Sequence, residues 1–158
     1  MNIQEYLSQY RRLREMIKYD TGTLKVLRLS TANTPAPKIE SDPVQTSPSG
    51  QAPYVRIMER IEWLEEKVSL EEQLLNRLRD EIMQMTDILD SREAYLISLR
   101  YILCNKWNTA ISNLHTSRAT AFRWHDEILA KLQLPEHPIN IDEELAKLEM
   151  ADNASAAV

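Results

Sequence analysis

Apolar positions recur along this chain at helical spacing, and the breaks between the recurrences divide it into segments. Ile3, Tyr6, Tyr10, Leu13 and Ile17 fall at steps of three and four, one stripe on a helix over residues 1–29. Gly22 stands where this helix would end or be interrupted, and Leu24, Leu27 and Leu29 continue an apolar pattern beyond it. From 56 to 89 the repeat is stricter. Ile57, Ile61, Leu64, Val68, Glu71, Leu75, Leu78, Ile82, Met85 and Leu89 alternate steps of four and three, a 3.5-residue repeat broken in chemistry only at Glu71. Such a helix is roughly 50 Å long at 1.5 Å per residue. With 61, 68, 75, 82 and 89 as the a positions, Arg60 can face Glu65, and Lys67 can face Glu72, of a neighbouring parallel chain. The alternative is intramolecular, with helix 1–29 folding back along this stem as an antiparallel hairpin.

Three further segments complete the pattern. Residues 30–55 hold Pro35, Pro37, Pro43, Pro48 and Pro53 among many Ser, Thr and Asn, which predicts a flexible connection. Residues 90–134 read as a small helical domain. Asp90 with Glu93 is a capping box, Leu96, Leu99, Ile102 and Leu103 form an inner face, and Trp107 is an apolar plug between helices. A short helix carries Ile111 and Leu114 inward. His115 and Thr116 make a turn, Ser117 caps the next helix, and Ala121, Trp124, Ile128 and Leu132 share one stripe over 118–132. Pro135 and Pro138 close that domain. Ile139, Ile141, Leu145 and Leu148 then suggest a short acidic helix, packed back on the chain or offered to a partner, with a disordered tail from Ala151 to Val158.

Composition agrees with an all-α chain. Leu, Ile and Met dominate the apolar content, and there are 2 Gly and 1 Phe. The single cysteine, Cys104, excludes a disulfide framework and a thiol metal cluster. Charged residues interrupt the N-terminus where a signal peptide would have its apolar core, and no apolar run approaches the ~20 residues needed to span a bilayer. The expectation is a soluble, intracellular protein with no membrane partner. The net charge of −5 hides an asymmetry. Arg11, Arg12, Arg14, Lys18, Lys25 and Arg28 make the first segment basic, and the stem and the C-terminal segment are acidic. Residues 91–132 are basic again through Arg92, Arg100, Lys106, Arg118, Arg123 and Lys131.

Chemistry of other kinds finds little footing. His115, His125 and His137 are scattered without a cysteine or carboxylate cluster at metal spacing. No nucleophile–base pair, Gly-rich phosphate loop or pair of acids in an apolar setting appears, so the reading is a non-enzyme without cofactor or metal. Helix, short helix, three-residue turn and longer helix is instead the arithmetic of a helix-turn-helix. On a wheel of about 100° per residue the inward stripe turns Ala119, Arg123 and Asp126 outward, with Thr120 and Phe122 beside them and Arg118 at the N-terminal end. Arg123 suits a bidentate contact to guanine, while Ala119, Thr120 or Phe122 suit a thymine methyl. Ser117, Arg118 and the helix N-terminus suit a phosphate.

The run Ser91-Arg92-Glu93-Ala94-Tyr95-Leu96-Ile97-Ser98-Leu99-Arg100-Tyr101 resembles the opening helix of region four of bacterial sigma factors. Ile111-Ser112-Asn113-Leu114 stands where that region has its Ile-Ala-x-x-Leu, and Ser117-Arg118 through Leu129-Ala130-Lys131-Leu132 is similar to its recognition helix. His115 occupies the turn position that is Gly in that pattern, which implies a positive φ there. Basic helix, Pro/Ser linker, coiled stem and region-four-like end together resemble the small ArpU- and RinA-type regulators of phages, described as late-gene transcription activators. The resemblance implies a cytoplasmic protein of a bacterial host that binds double-stranded DNA through 118–132 and contacts RNA polymerase, working as a homo-oligomer with a dimer favoured. Two alternatives stand beside it: a DNA-packaging recognition subunit like a phage small terminase, and a coiled-coil adaptor that binds no DNA.

Overall fold

The computed structural model of the chain describes residues 1–33 and 51–157. Among them the secondary structure is all helical: α1 (Ile3–Asn33), α2 (Gln51–Met85), α3 (Ser91–Ile97), α4 (Trp107–Leu114), α5 (Arg118–Lys131) and α6 (Ile141–Ala156). The expected flexible connection lies mostly at 34–50, outside the described residues. Residues 30–33 and 51–55, expected to belong to it, are helical. Pro53 fits there because the first-turn amides of a helix have no intrahelical acceptor to lose.

Asn2 and Glu5 start α1 with reciprocal bonds, the Glu5 amide donating to Asn2 Oδ1 at 2.8 Å and the Asn2 amide to Glu5 Oε2 at 2.8 Å. Gly22 neither ends nor interrupts α1, which runs on to Asn33. A single helical glycine costs only about 1 kcal/mol relative to alanine, which the surrounding turns offset.

The chain forms two compact units. One is Met16–Glu72; the other combines Met1–Glu15 with Gln73–Val158. In the Met16–Glu72 unit, Leu24 of α1 is buried with Ile61, Leu64 and Val68 of α2, and Ile17, Leu27, Ile57, Met58 and Trp63 pack around them. Ion pairs fix an antiparallel sense: Arg28 meets Glu65 at 2.6 Å, and Asp20 meets Lys67 at 2.9 Å. The 3.5-residue seam of α2 thus faces α1 of the same chain in this unit. Lys67, expected to reach Glu72 of a neighbour, is held by Asp20 and stands 3.6 Å from Glu71.

In the other unit, Tyr6, Leu7, Tyr10 and Leu13 are buried, as are Leu74, Leu78 and Ile82 of α2. Burial and the nearby Glu81 carboxylate hold the Tyr6 hydroxyl well above the ordinary phenol range. Gln9 joins the chain ends. Its Nε2 donates to the Ile139 carbonyl at 3.0 Å, and its Oε1 accepts from the Ile141 amide at 3.0 Å. Both groups flank the start of α6, so one buried amide side chain pairs a free backbone acceptor and a free donor there. Arg12 pairs with Asp142, and Arg77 with Glu144 at 3.4 Å. Helix α6 then continues to Ala156, past the point where a disordered tail was expected. No helix of the described residues is long and apolar enough to cross a membrane.

Candidate functional site

The basic segment 91–132 builds its geometry from three local devices. The first is the capping box at α3: Asp90 Oδ1 accepts from the Glu93 amide at 2.9 Å, and Glu93 Oε2 accepts from the Asp90 amide at 3.2 Å. Lys131 near the end of α5 pairs with the same Glu93, tying the end of α5 to the start of α3. The Arg92 guanidinium lies 5.0 Å over the Trp124 ring, a second link between these helices.

The second device is a wide π turn over Ser98–Ile102 that continues α3. It inserts extra backbone into the ladder and rotates the next residues about the helix axis. Tyr101 is therefore buried at 6% exposure, while Leu103, expected on the inner face, is 56% exposed. Cys104 comes next with φ 57°, a left-handed residue that stops the helix. The Arg100 guanidinium caps this loop by donating to the Asn105 carbonyl, and it lies 4.5 Å over the Trp107 ring.

The third device is the turn between α4 and α5. His115 adopts φ 50°, ψ 44°, the left-handed conformation that the resemblance implied. Its amide reaches the Ser112 carbonyl at 3.2 Å, and the Thr116 amide reaches that of Ile111 at 3.5 Å, so the last carbonyls of α4 are paired. Ser117 then caps α5, with its Oγ accepting from the Thr120 amide at 3.2 Å and donating to Thr120 Oγ1 at 2.8 Å.

Trp107 opens α4 and packs between helices, its ring 4.5 Å from that of Phe122 and 5.1 Å, edge-on, from His125. His125 is the residue that sequence reasoning passed over. It is buried at 6% exposure beside Ala121, Ile128 and Leu132, and its Nε2 is 2.7 Å from the Tyr101 hydroxyl. Burial, with Arg100 adding to it and Asp126 opposing, lowers its pKa below the usual imidazole value, so the ring is neutral. Its Nδ1 faces Asp126 Oδ1 at 3.8 Å. The ring proton belongs on that nitrogen, and Nε2 accepts the Tyr101 O–H. A histidine four residues after Ala121 and three before Ile128 was the available signal. Trp124, assigned to the inward stripe, is half-buried instead.

Of the six residues expected to read DNA, four are exposed together over the first turns of α5: Ser117, Arg118, Ala119 and Arg123. Thr120 is half-buried and engaged by Ser117. Phe122 is also half-buried, its ring held between Trp107 and the Arg118 guanidinium, which lies 5.2 Å above it. The ring supports Arg118 as much as it faces outward. Among the described residues Arg123 forms an ion pair with Glu127, at 3.8 Å, and its side chain is 67% exposed. An exposed pair at that separation is worth well under about 1 kcal/mol, so Arg123 can exchange Glu127 for another acceptor at little cost. Asp126, on the same turn, is 84% exposed. This end of α5 therefore presents two guanidinium groups beside a helix N-terminus, an arrangement that suits anionic oxygens and planar acceptor pairs. Comparison of the chain with protein-family models, with curated proteins and with solved structures found no match.

Proposed function

We propose that this chain is a sequence-specific DNA-binding transcriptional regulator of the phage late-activator kind, in which α4 and α5 act as a helix-turn-helix. The observation that carries the reading is the exposed end of α5. Ser117, Arg118, Ala119 and Arg123 lie on its first turns, which come after a tight left-handed turn at His115 and pack against a rigid aromatic cluster. In this reading Arg123 contacts a guanine edge, and Ala119 lies against a base methyl. Ser117, Arg118 and the α5 N-terminus hold a phosphate. The Trp107–Phe122–His125 packing fixes the angle between α4 and α5, which a recognition helix needs for register in the groove. The acidic stem and C-terminal segment disfavour contact with DNA along their own lengths. The resemblance to sigma region four extends the proposal to a contact with RNA polymerase.

The test is enrichment of sheared source-genome DNA by the purified protein at about 150 mM salt, where phosphate-only binding is already weakened. Arg123→Ala runs alongside. One sharp peak in a promoter region, lost in the variant, is the expected result. A peak among packaging genes would reassign the protein as a terminase-like recognition subunit, and no enrichment at all would sink direct DNA reading.

A further inference from the structure

Helix α1 carries two apolar stripes in the Met16–Glu72 unit, and among the described residues one of them packs into its core while the other is exposed. Leu24 and Leu27 go into the core with Asp20 beside them. Nearly opposite on the helix wheel stand Tyr19, Val26 and Leu29, which are 76, 62 and 58% exposed. From Tyr19 the line runs through Gly22, Val26 and Leu29 to Asn33 in steps of three, four, three and four. This is a second 3.5-residue repeat, the signature of a helix-to-helix seam. Gly22 stands in the middle of it, and a Cβ built there would meet nothing within 4 Å. Its missing side chain therefore relieves no crowding among the described residues, and leaves room for another helix to approach. The corresponding residues on α2, Ile61, Leu64 and Val68, are already covered by α1.

We propose that the α1 stripe Tyr19–Gly22–Val26–Leu29–Asn33 is the surface on which a second copy of this chain docks, with the two α1 helices side by side and parallel. Residue type and charge together select this occupant. Val26 in the a position with Leu29 in the d position favours two strands, and an Asn at a, here Asn33, fixes register by pairing with its own copy. Lys18 and Lys25 flank the stripe immediately before Tyr19 and Val26. An antiparallel partner would bring Lys18 against the other copy's Lys25. A parallel one sets Lys18 opposite Thr23 and Lys25 opposite Ser30, where no charge repels. The seam from 19 to 33 is about 20 Å long at 1.5 Å per residue. So short a contact gives weak association, with a dissociation constant on the order of 10 µM. The inference does not rest on DNA reading, because every residue it uses lies on α1.

The experiment is sedimentation equilibrium on the full chain from about 1 to 300 µM, which brackets that constant. The wild type is expected to pass from monomer to dimer. Val26→Glu combined with Leu29→Glu should raise the dissociation constant at least about tenfold with circular dichroism unchanged, since both side chains lie outside the core. Leu29→Cys in a Cys104→Ser background, treated with oxidised glutathione, should give a disulfide-linked dimer, because a parallel seam places equivalent d residues together. Met83→Cys, exposed but off the stripe, should not. A wild type that stays monomeric throughout overturns the proposal. So does a dimer indifferent to Val26→Glu with Leu29→Glu, or one that cross-links at 83 and not at 29.

Discussion

Glu71 and His125 are both sunk among apolar side chains, one in each unit, and the protein treats them in opposite ways. Glu71 is fully buried on the α2 seam, and among the described residues neither carboxylate oxygen has a hydrogen-bond partner. Lys67 is 3.6 Å away and closer to Asp20 than to Glu71. Burial first, then the charge of Asp20, push the Glu71 pKa up to about 7 against the pull of Lys67. His125 is buried too, but its ring nitrogen is satisfied by the Tyr101 hydroxyl and its edge by Trp107. One site stores unfavourable electrostatics, and the other is closed and paired. Both settings favour the neutral form, which for an acid and a base means opposite responses to pH. The folded pKa of Glu71 is raised, so its contribution to stability is complete below 4.5 and is lost as pH rises towards 7. That of His125 is lowered, so its contribution is complete above 6.5 and is lost as pH falls below it.

The largest expected effect comes from removing the cation that the two acids share. Lys67→Ala leaves Asp20 and Glu71 facing each other in a buried setting, and should cost about 3 kcal/mol in alkaline buffer. Acidification should shrink that loss, because Glu71 takes up a proton. Urea unfolding followed through Trp63, with Trp107 and Trp124 replaced by Phe, reads this unit alone. A loss independent of pH would show that Lys67 acts by packing. Glu71→Leu should move the other way, stabilising the same unit by about 2 kcal/mol in alkaline buffer through replacement of an unsatisfied acid by a side chain that suits the seam. The gain should fade at acid pH, where Glu71 is already neutral. A variant less stable than wild type under alkaline conditions would mean that the carboxylate has partners the geometry does not give it.

Legibility in the sequence divides along the same line, between near and distant partners. The all-helical class, the capping box at Asp90 and Glu93 and the Ser117 cap were legible, because each depends on residues within about four positions, whereas the left-handed His115 was implied only by the resemblance to sigma region four. The apolar stripe of α1 was legible for the same reason. Gln9 was not, because its partners at Ile139 and Ile141 lie at the other end of the chain and a glutamine on a helix carries no mark of them. The exposure of Leu103 was misread because the π turn rotates the helix face at a point where the side-chain pattern gives no warning. His125 was passed over for a related reason. Its role depends on Tyr101, which lies within that same turn. At the candidate site, the exposure of Arg118 and Arg123 was readable from the wheel, whereas the seating of Phe122 against Trp107 required the packing of α4 on α5.

The pairing of His125 with Tyr101 yields the smallest effects and the most diagnostic pattern. Tyr101→Phe strips a buried ring nitrogen of its donor, and His125→Phe leaves a buried hydroxyl without its acceptor. Each should cost about 1–2 kcal/mol in alkaline buffer, read through Trp107 and Trp124 with Trp63 replaced by Phe. The double variant places two hydrocarbon rings where two paired polar ones stood, beside Trp107, and should be much closer to wild type than the sum of the singles. It should also lose the decline in stability on acidification below 6.5 that His125 contributes. If the two costs simply add, the hydrogen bond contributes nothing and the cluster is held by ring packing alone. Non-additivity together with a flattened acid response would show that this bond orders the core beneath α5, and so sets how Arg118 and Arg123 are presented.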